Sequence, residues 1–186
     1  MVAFAAVVAV LAGAVPRAVG DMSIKRWLRH LMLPRWVAGR RFPHATMARI
    51  ERAVSESELR HGGQVRVAVE SCLDIGALMR KQTARERALD VFSELRVWDT
   101  RDNCGVLIYL LLADHDVEIV ADRGIAERVG QSQWENICLA MEAEFRAGRF
   151  ETGVLRGIER ISTLLALHFP RRGERGDKLQ DQPALL

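Results

Sequence analysis

Asn103-Cys104-Gly105-Val106-Leu107-Ile108-Tyr109-Leu110-Leu111-Leu112-Ala113-Asp114-His115-Asp116-Val117-Glu118-Ile119-Val120-Ala121-Asp122 decides the fold of this chain. Residues 106–112 are apolar without alternation and rich in branched side chains, the pattern of a central strand buried on both faces. Residues 113–116 form a short polar connection. Residues 117–122 then alternate, which predicts a second strand returning antiparallel to the first.

Working outward, Gln64-Val65-Arg66-Val67-Ala68-Val69-Glu70 alternates strictly and reads as a strand with one face toward a core. Before it, residues 46–60 carry Met47, Ile50 and Val54 at helical spacing, with His61-Gly62-Gly63 as a stop. Between the strands, residues 78–95 place Leu78, Leu89, Phe92 and Leu95 among charged residues and predict one helix. Beyond the hairpin, Ser132 followed by Glu135 is a capping-box pair for a helix bearing Trp134, Ile137, Cys138, Met141 and Phe145. Gly148 closes it. Residues 151–169 form a last helix that turns Val154, Leu155, Ile158, Ile161, Leu164 and Leu165 inward. Helix, strand, helix, strand, strand, helix, helix is the order of a single-domain three-layer α/β/α sandwich with a small mixed β-sheet. It occupies residues 42–169. Residues 170–186, dominated by Arg, Gly, Asp, Gln and Pro, read as a solvated, disordered tail.

A chain of 186 residues with 49% hydrophobic and 27% charged residues suits one soluble globular domain with appendages. Its three cysteines, an odd number, exclude a fully paired disulfide scaffold. The net charge of +3 gives no reason to expect nucleic acid as a partner. That charge is unevenly placed. Lys25, Arg26, Arg29, Arg35, Arg40 and Arg41 stand between residues 22 and 41 with no acid among them, so the chain from residue 42 onward is net acidic. Ile24, Trp27, Leu28, Leu31 and Met32 recur at helical spacing through the same segment, with Lys25, Arg26 and Arg29 between them. Such a basic amphipathic helix either packs its apolar side on its own domain or presents it to an anionic membrane surface or a protein partner.

Residues 1–21 form an apolar leader. Its 14-residue apolar run, 2–15, is too short for a transmembrane helix, which needs about 20 residues. Ala18-Val19-Gly20 provides small residues suited to a signal-peptide cut, which would make the protein periplasmic or secreted. If translation instead starts at Met22, the protein is cytoplasmic or membrane-peripheral.

No P-loop, GxGxxG, GxSxG, CxxC or HExxH pattern occurs. The five histidines lack ligand spacing and read as surface or boundary residues, and the cysteines as buried thiols. The carboxylates say more. Asp99, Asp102 and Asn103 crowd the loop entering the central strand, and Asp122 leaves the end of its hairpin partner. In an antiparallel pair the start of one strand lies beside the end of the next, so these side chains can meet at one sheet edge. Several oxygen ligands there suit a hard cation, Ca²⁺ or Mg²⁺. Alternatively, Asp102-Asn103 only makes the turn and Asp122 only caps the loop after it. Asp114 and Asp116 flank His115 at the other end of the hairpin, where a tight turn uses such residues for conformation.

Arg96-Val97-Trp98-Asp99-Thr100, the block from Asn103 to Asp114, and Val117-Glu118-Ile119-Val120-Ala121-Asp122-Arg123-Gly124-Ile125 resemble the TPM domain family. So does Phe145-Arg146-Ala147-Gly148-Arg149-Phe150 with Gly153 and Gly157, which is similar to that family's closing helix junction. The resemblance spans roughly residues 42–169. It implies an α/β/α sandwich, a divalent-cation site with Ca²⁺ as best-known ion, and acid phosphatase activity in some members. Carried onto this chain, the cation region is the loop before Gly105 and the turn Asp122-Arg123-Gly124. Asp122 stands where many members have glycine, and the basic front resembles a bacterial subgroup without a C-terminal membrane anchor. The residues and the resemblance together give two expectations. The first is a module binding a divalent cation at Asp99, Asp102, Asn103 and Asp122 and touching a partner or membrane through residues 22–41. The second is a metal-assisted phosphomonoesterase with Arg123 on the phosphate oxygens, although no phosphatase nucleophile motif is present.

Overall fold

The computed structural model describes residues 24–34, 36–171 and 181–186. The leader (1–21) therefore lies outside the described residues, as do parts of the basic segment and of the tail. In chain order the elements are α1 (Ile24–Met32), α2 (Val37–Arg41), α3 (His44–Ser57), β1 (Gln64–Glu70), α4 (Ile75–Met79), α5 (Ala84–Glu94), β2 (Gly105–Leu111), β3 (Asp116–Ala121), α6 (Arg123–Ala126), α7 (Gln131–Arg146), α8 (Phe150–His168) and β4 (Ala184–Leu185).

One open mixed sheet runs β3-β2-β1-β4. β1 pairs parallel to β2 with Gln64 opposite Gly105, and β2 pairs antiparallel to β3 with Ile108 opposite Ile119. The hairpin is thus as the sequence predicts. Parallel pairing of β1 and β2 needs a crossover, which α4 and α5 supply. They cover one face, burying Ala88, Val91 and Phe92 with Leu107, Tyr109 and Val120. Helices α3, α7 and α8 cover the other, burying Ile50, Val54, Met141, Ile158 and Ile161 against Val67, Ile108 and Ile119. The fold is a single-domain α/β sandwich.

Helices on both sides explain the first departure from the sequence reading. All seven residues of β1 are buried, although alternation predicts one buried face. Its last polar position is sheltered by pairing: Tyr109 Oη donates to Glu70 Oε2 at 2.6 Å, and Arg87 Nε donates to the same oxygen at 3.0 Å. The second departure is the helix expected over 78–95, which is two helices. Asp74 caps α4 by accepting from Ala77 N, the chain turns through Lys81 at φ 60°, and Thr83 with Glu86 forms a capping box for α5. Two capping residues outweigh a continuous apolar stripe. The reverse holds for α7, which starts one residue before Ser132, at Gln131, with Gly130 as an N-cap that offers no side chain. Ser132 then sits inside the first turn and cannot cap.

The tail departs as well. Ala184 and Leu185 pair parallel to Ala68 and Val69, and Leu186 N donates to Val69 O at 3.0 Å, so the chain's last residues cover the edge of β1. A strand with no solvated face leaves an edge that needs a partner, and residues 181–186 provide part of one. Two histidines are buried rather than at the surface, His30 and His61.

Candidate functional site

The β2 entry and the β3 exit meet as the hairpin requires. Asp122 N donates to Gly105 O at 2.9 Å, and the Asp122 side chain caps α6 by accepting from Arg123 N at 2.7 Å through Oδ1. Gly124 then lies hard against the preceding loop: a Cβ there would stand 2.4 Å from Asp102 O and 2.7 Å from Asn103 O. Asn103 turns the loop at φ 51°, a left-handed conformation that asparagine tolerates. The structure therefore brings Asp102, Asn103, Asp122 and Arg123 to one edge. Asp99 stands apart, exposed and 4.0 Å from Arg96.

Within this cluster Asp122 is the unusual member. The residue is only 4% exposed, and Oδ2 is buried without a hydrogen-bond partner. Burial pushes its carboxyl above the usual carboxylate range, against the backbone N–H and positive charge of Arg123. Asp102 and Asn103 are exposed, as is Arg123. Cys104 links the two acids: burial, with the Asp102 charge and then that of Asp122, raises its thiol to about 11 while Thr100 Oγ1 holds its backbone N–H at 3.0 Å. A thiol so placed stays protonated and inert.

The donor set is thin. Among the described residues no three His, Cys, Asp or Glu side chains converge to hold a metal ion. What the edge offers instead is one buried, unpartnered carboxyl oxygen of Asp122, in the turn whose Gly124 packs against the backbone carbonyls of Asp102 and Asn103. That set fits a hydrated hard cation, which keeps several waters, better than a fully protein-caged one.

The opposite end of the hairpin holds a cluster that sequence reasoning missed. Asp114 pairs with residues of α1 and not with His115. Arg26 Nε donates to Asp114 Oδ2 at 3.0 Å, and His30 Nε2 stands 3.1 Å from Asp114 Oδ1. Leu73 N donates to His30 Nδ1 at 3.0 Å, which leaves the ring proton on Nε2, toward Asp114. Arg26 also donates to Gln82 O at 2.9 Å. Burial alone would raise the Asp114 carboxyl, but the His30 and Arg26 hydrogen bonds and their charges hold it at about 2. The signal was present in the sequence, because Arg26 and His30 are four residues apart and share a helix face.

An α/β/α sandwich with a parallel β1-β2 pair, a β2-β3 hairpin and an acid-bearing turn at the hairpin's open end defines the class. Within it, a family model for the TPM domain, TPM_phosphatase, matches residues 38–164, and the chain belongs to that family. It is similar to the BA42 protein of the psychrophilic bacterium Bizionia argentinensis, with 29% identity, a TM-score of 0.66, and 75% of this chain and 92% of that one covered. It also shares the fold of the N-terminal domain of a P. gingivalis protein, at 14% identity and TM-score 0.56, covering 76% and 95%. No curated protein sequence matches.

Proposed function

We propose that this TPM domain binds a divalent cation, Ca²⁺ or Mg²⁺, at the edge formed by Asp102, Asn103 and Asp122, and works as a binding and scaffold module. Residues 22–41 are then its contact surface for a protein partner or a lipid surface. The observation that carries the cation reading is the buried, unpartnered Oδ2 of Asp122. Burial of this carboxyl outweighs the Arg123 charge beside it, and a cation at that oxygen would relieve the cost. The Asp102 and Asn103 side chains and water complete a hard oxygen shell. Asp99, turned to solvent beside Arg96, lies outside this ligand set.

The test is thermal unfolding after chelation and again with millimolar Ca²⁺ or Mg²⁺. An ion at tenfold its Kd stabilises by about 1.4 kcal/mol, or roughly 3–6 °C for a domain of this size. Asp102→Ala and Asp122→Asn should each remove the shift. An unchanged Tm in the wild type contradicts the reading.

The second reading is a metal-assisted phosphomonoesterase, favoured by the name of the matching family model and by the exposed Arg123 next to Asp122. The cation would polarise the phosphate and Arg123 would bind its oxygens. Cation binding that is lost in Asp102→Ala, with no turnover of a phosphomonoester by the wild type, leaves the binding module. Cation-dependent turnover lost in Asp102→Ala and Arg123→Ala establishes the esterase.

A further inference from the structure

Helix α1 sits on the domain by the side opposite to its apolar row, the second of the two orientations its sequence allows. Arg26 and His30 are its buried residues, clamped to Asp114, Gln82 and Leu73, while Trp27 is partly covered against the α5 face. The apolar stripe consequently faces outward. Ile24 is 78% exposed, Leu31 70% and Met32 75%, with Leu28 at 48%, and Trp36 at the start of α2 is 61% exposed. Ile24, Leu28 and Leu31 follow i, i+4, i+7 spacing and form one continuous row.

The anchoring is specific enough to hold this orientation. Arg26 donates to the Asp114 carboxylate and His30 Nε2 lies 3.1 Å from it, and just beyond α1 Ala38 N donates to Ser71 Oγ at 3.0 Å while Ala38 and Phe42 enter the main core. Rolling the helix to hide Leu28 and Leu31 would break the Arg26 and His30 contacts and strand Asp114 in a buried site. The apolar row is thus presented by the fold. Exposed apolar patches of this kind mark interaction sites.

Charge selects the occupant. Lys25 and Arg40 are exposed around the row, Arg29 is half-exposed with its guanidinium 3.5 Å from Asp114, and the sequence from residue 22 to 41 contains no acid. A second copy meeting this face would set these cations against their own counterparts. An anionic bilayer offers the opposite charge at the depth where basic side chains lie, and an apolar layer where Leu28, Leu31 and Met32 lie. No helix among the described residues is long and apolar enough to cross a membrane, so the mode is interfacial. We infer that α1 and the start of α2 form a lipid-docking surface that lays Ile24, Leu28, Leu31, Met32 and Trp36 into an anionic membrane interface. This rests on the reading of residues 22–41 as a contact surface and commits it to lipid.

The experiment is co-sedimentation of the full chain with vesicles of phosphatidylcholine containing 30% phosphatidylglycerol, beside vesicles of phosphatidylcholine alone. The expected result is binding to the anionic vesicles only, weakened at least tenfold in Leu28→Glu/Leu31→Glu. Each basic residue contributes about fivefold near an anionic surface, so Lys25→Glu should weaken binding by more than that. Lys25, Leu28 and Leu31 are exposed, and circular dichroism checks that the fold is intact in every variant. Three outcomes overturn the inference. One is no binding to anionic vesicles. Another is binding that survives Leu28→Glu/Leu31→Glu but is lost on Val7→Asp/Val8→Asp, which assigns it to the leader. The third is a wild-type dimer in sedimentation velocity that Leu31→Glu converts to monomer; this assigns the face to a second copy and leaves the contact-surface reading standing without the lipid.

Discussion

Asp114 and Asp122 stand just outside the two ends of β3, both largely buried, and their surroundings move them in opposite directions. Asp114 receives Arg26 and His30 and is held at about 2; Asp122 receives one backbone N–H, and burial keeps its carboxyl raised. Burial opposes ionisation at both sites, so the difference comes from the donors and charges placed around each carboxyl. At Asp114 the chain supplies them itself, from a helix far earlier in the sequence, and the carboxylate becomes a fixed anchor for α1. At Asp122 the capping N–H and the charge of Arg123 act against burial without overcoming it, and Oδ2 has no hydrogen-bond partner. Within one hairpin, a buried acid that is already paired is structural, and a buried acid that is not is a candidate ligand.

The largest effect that can break this contrast is Asp114→Ala, which leaves Arg26 and His30 buried without their acceptor. It should cost about 3 kcal/mol in chemical denaturation. A cost below ~1 kcal/mol would mean that the pair does not anchor α1. Next comes Gly124→Ala, whose Cβ runs into two backbone carbonyls of the 102–103 loop. It should destabilise by about 2 kcal/mol and abolish any cation-induced rise in Tm, because it separates Asp102 from Asp122.

Acid titration gives the next contrast. The depressed Asp114 contributes stability that is fully present above the ordinary carboxylate value near 3.8 and is lost as pH falls toward about 2, worth about 2 kcal/mol over that window. The raised Asp122 acts with the opposite sign: its contribution is present below its ordinary value and is lost as pH rises through the folded one. In Asp122→Asn, which keeps a capping oxygen and removes the charge, the chelated protein should be more stable at pH 7 by about 1 kcal/mol. A destabilised Asp122→Asn would mean that the carboxylate is already compensated. The smallest effect concerns Cys104: with its thiol raised to about 11, it should resist alkylation at pH 8 in the folded protein and react only on unfolding.

How far these features are legible in the sequence depends on whether their physics is local. Residues 64–70 and 105–122 announce their strands through alternation, branched runs and a short polar turn, and the hairpin register that joins Asp122 to Gly105 follows from those alone. The capping pair Thr83 and Glu86 is equally local, yet a longer apolar stripe obscures it. Helix α1 is undecided by its sequence for a different reason. Its apolar row leaves an inward and an outward face equally open, and Asp114, distant in sequence, pairs with Arg26 and His30 and turns that row outward. Likewise, the polar composition of residues 170–186 hides the pairing of Ala184 and Leu185 with β1, which is driven by an unfilled edge elsewhere. Of the candidate site, spacing found the Asp102, Asn103, Asp122 and Arg123 edge. It included Asp99 only because the residue shares their loop. Spacing also offered Asp122 as a cap, which it is for α6, and its buried state depends on packing that no spacing reveals.

The most direct test follows the side-chain carboxyl carbons of Asp114 and Asp122 by NMR through a pH titration, first with chelator and then with Ca²⁺ or Mg²⁺. The account predicts that Asp114 titrates near 2 in both series, whereas Asp122 titrates above the usual range with chelator and falls below it when the ion is added. An Asp122 titration that is ordinary with chelator, or that the ions leave in place, would contradict it.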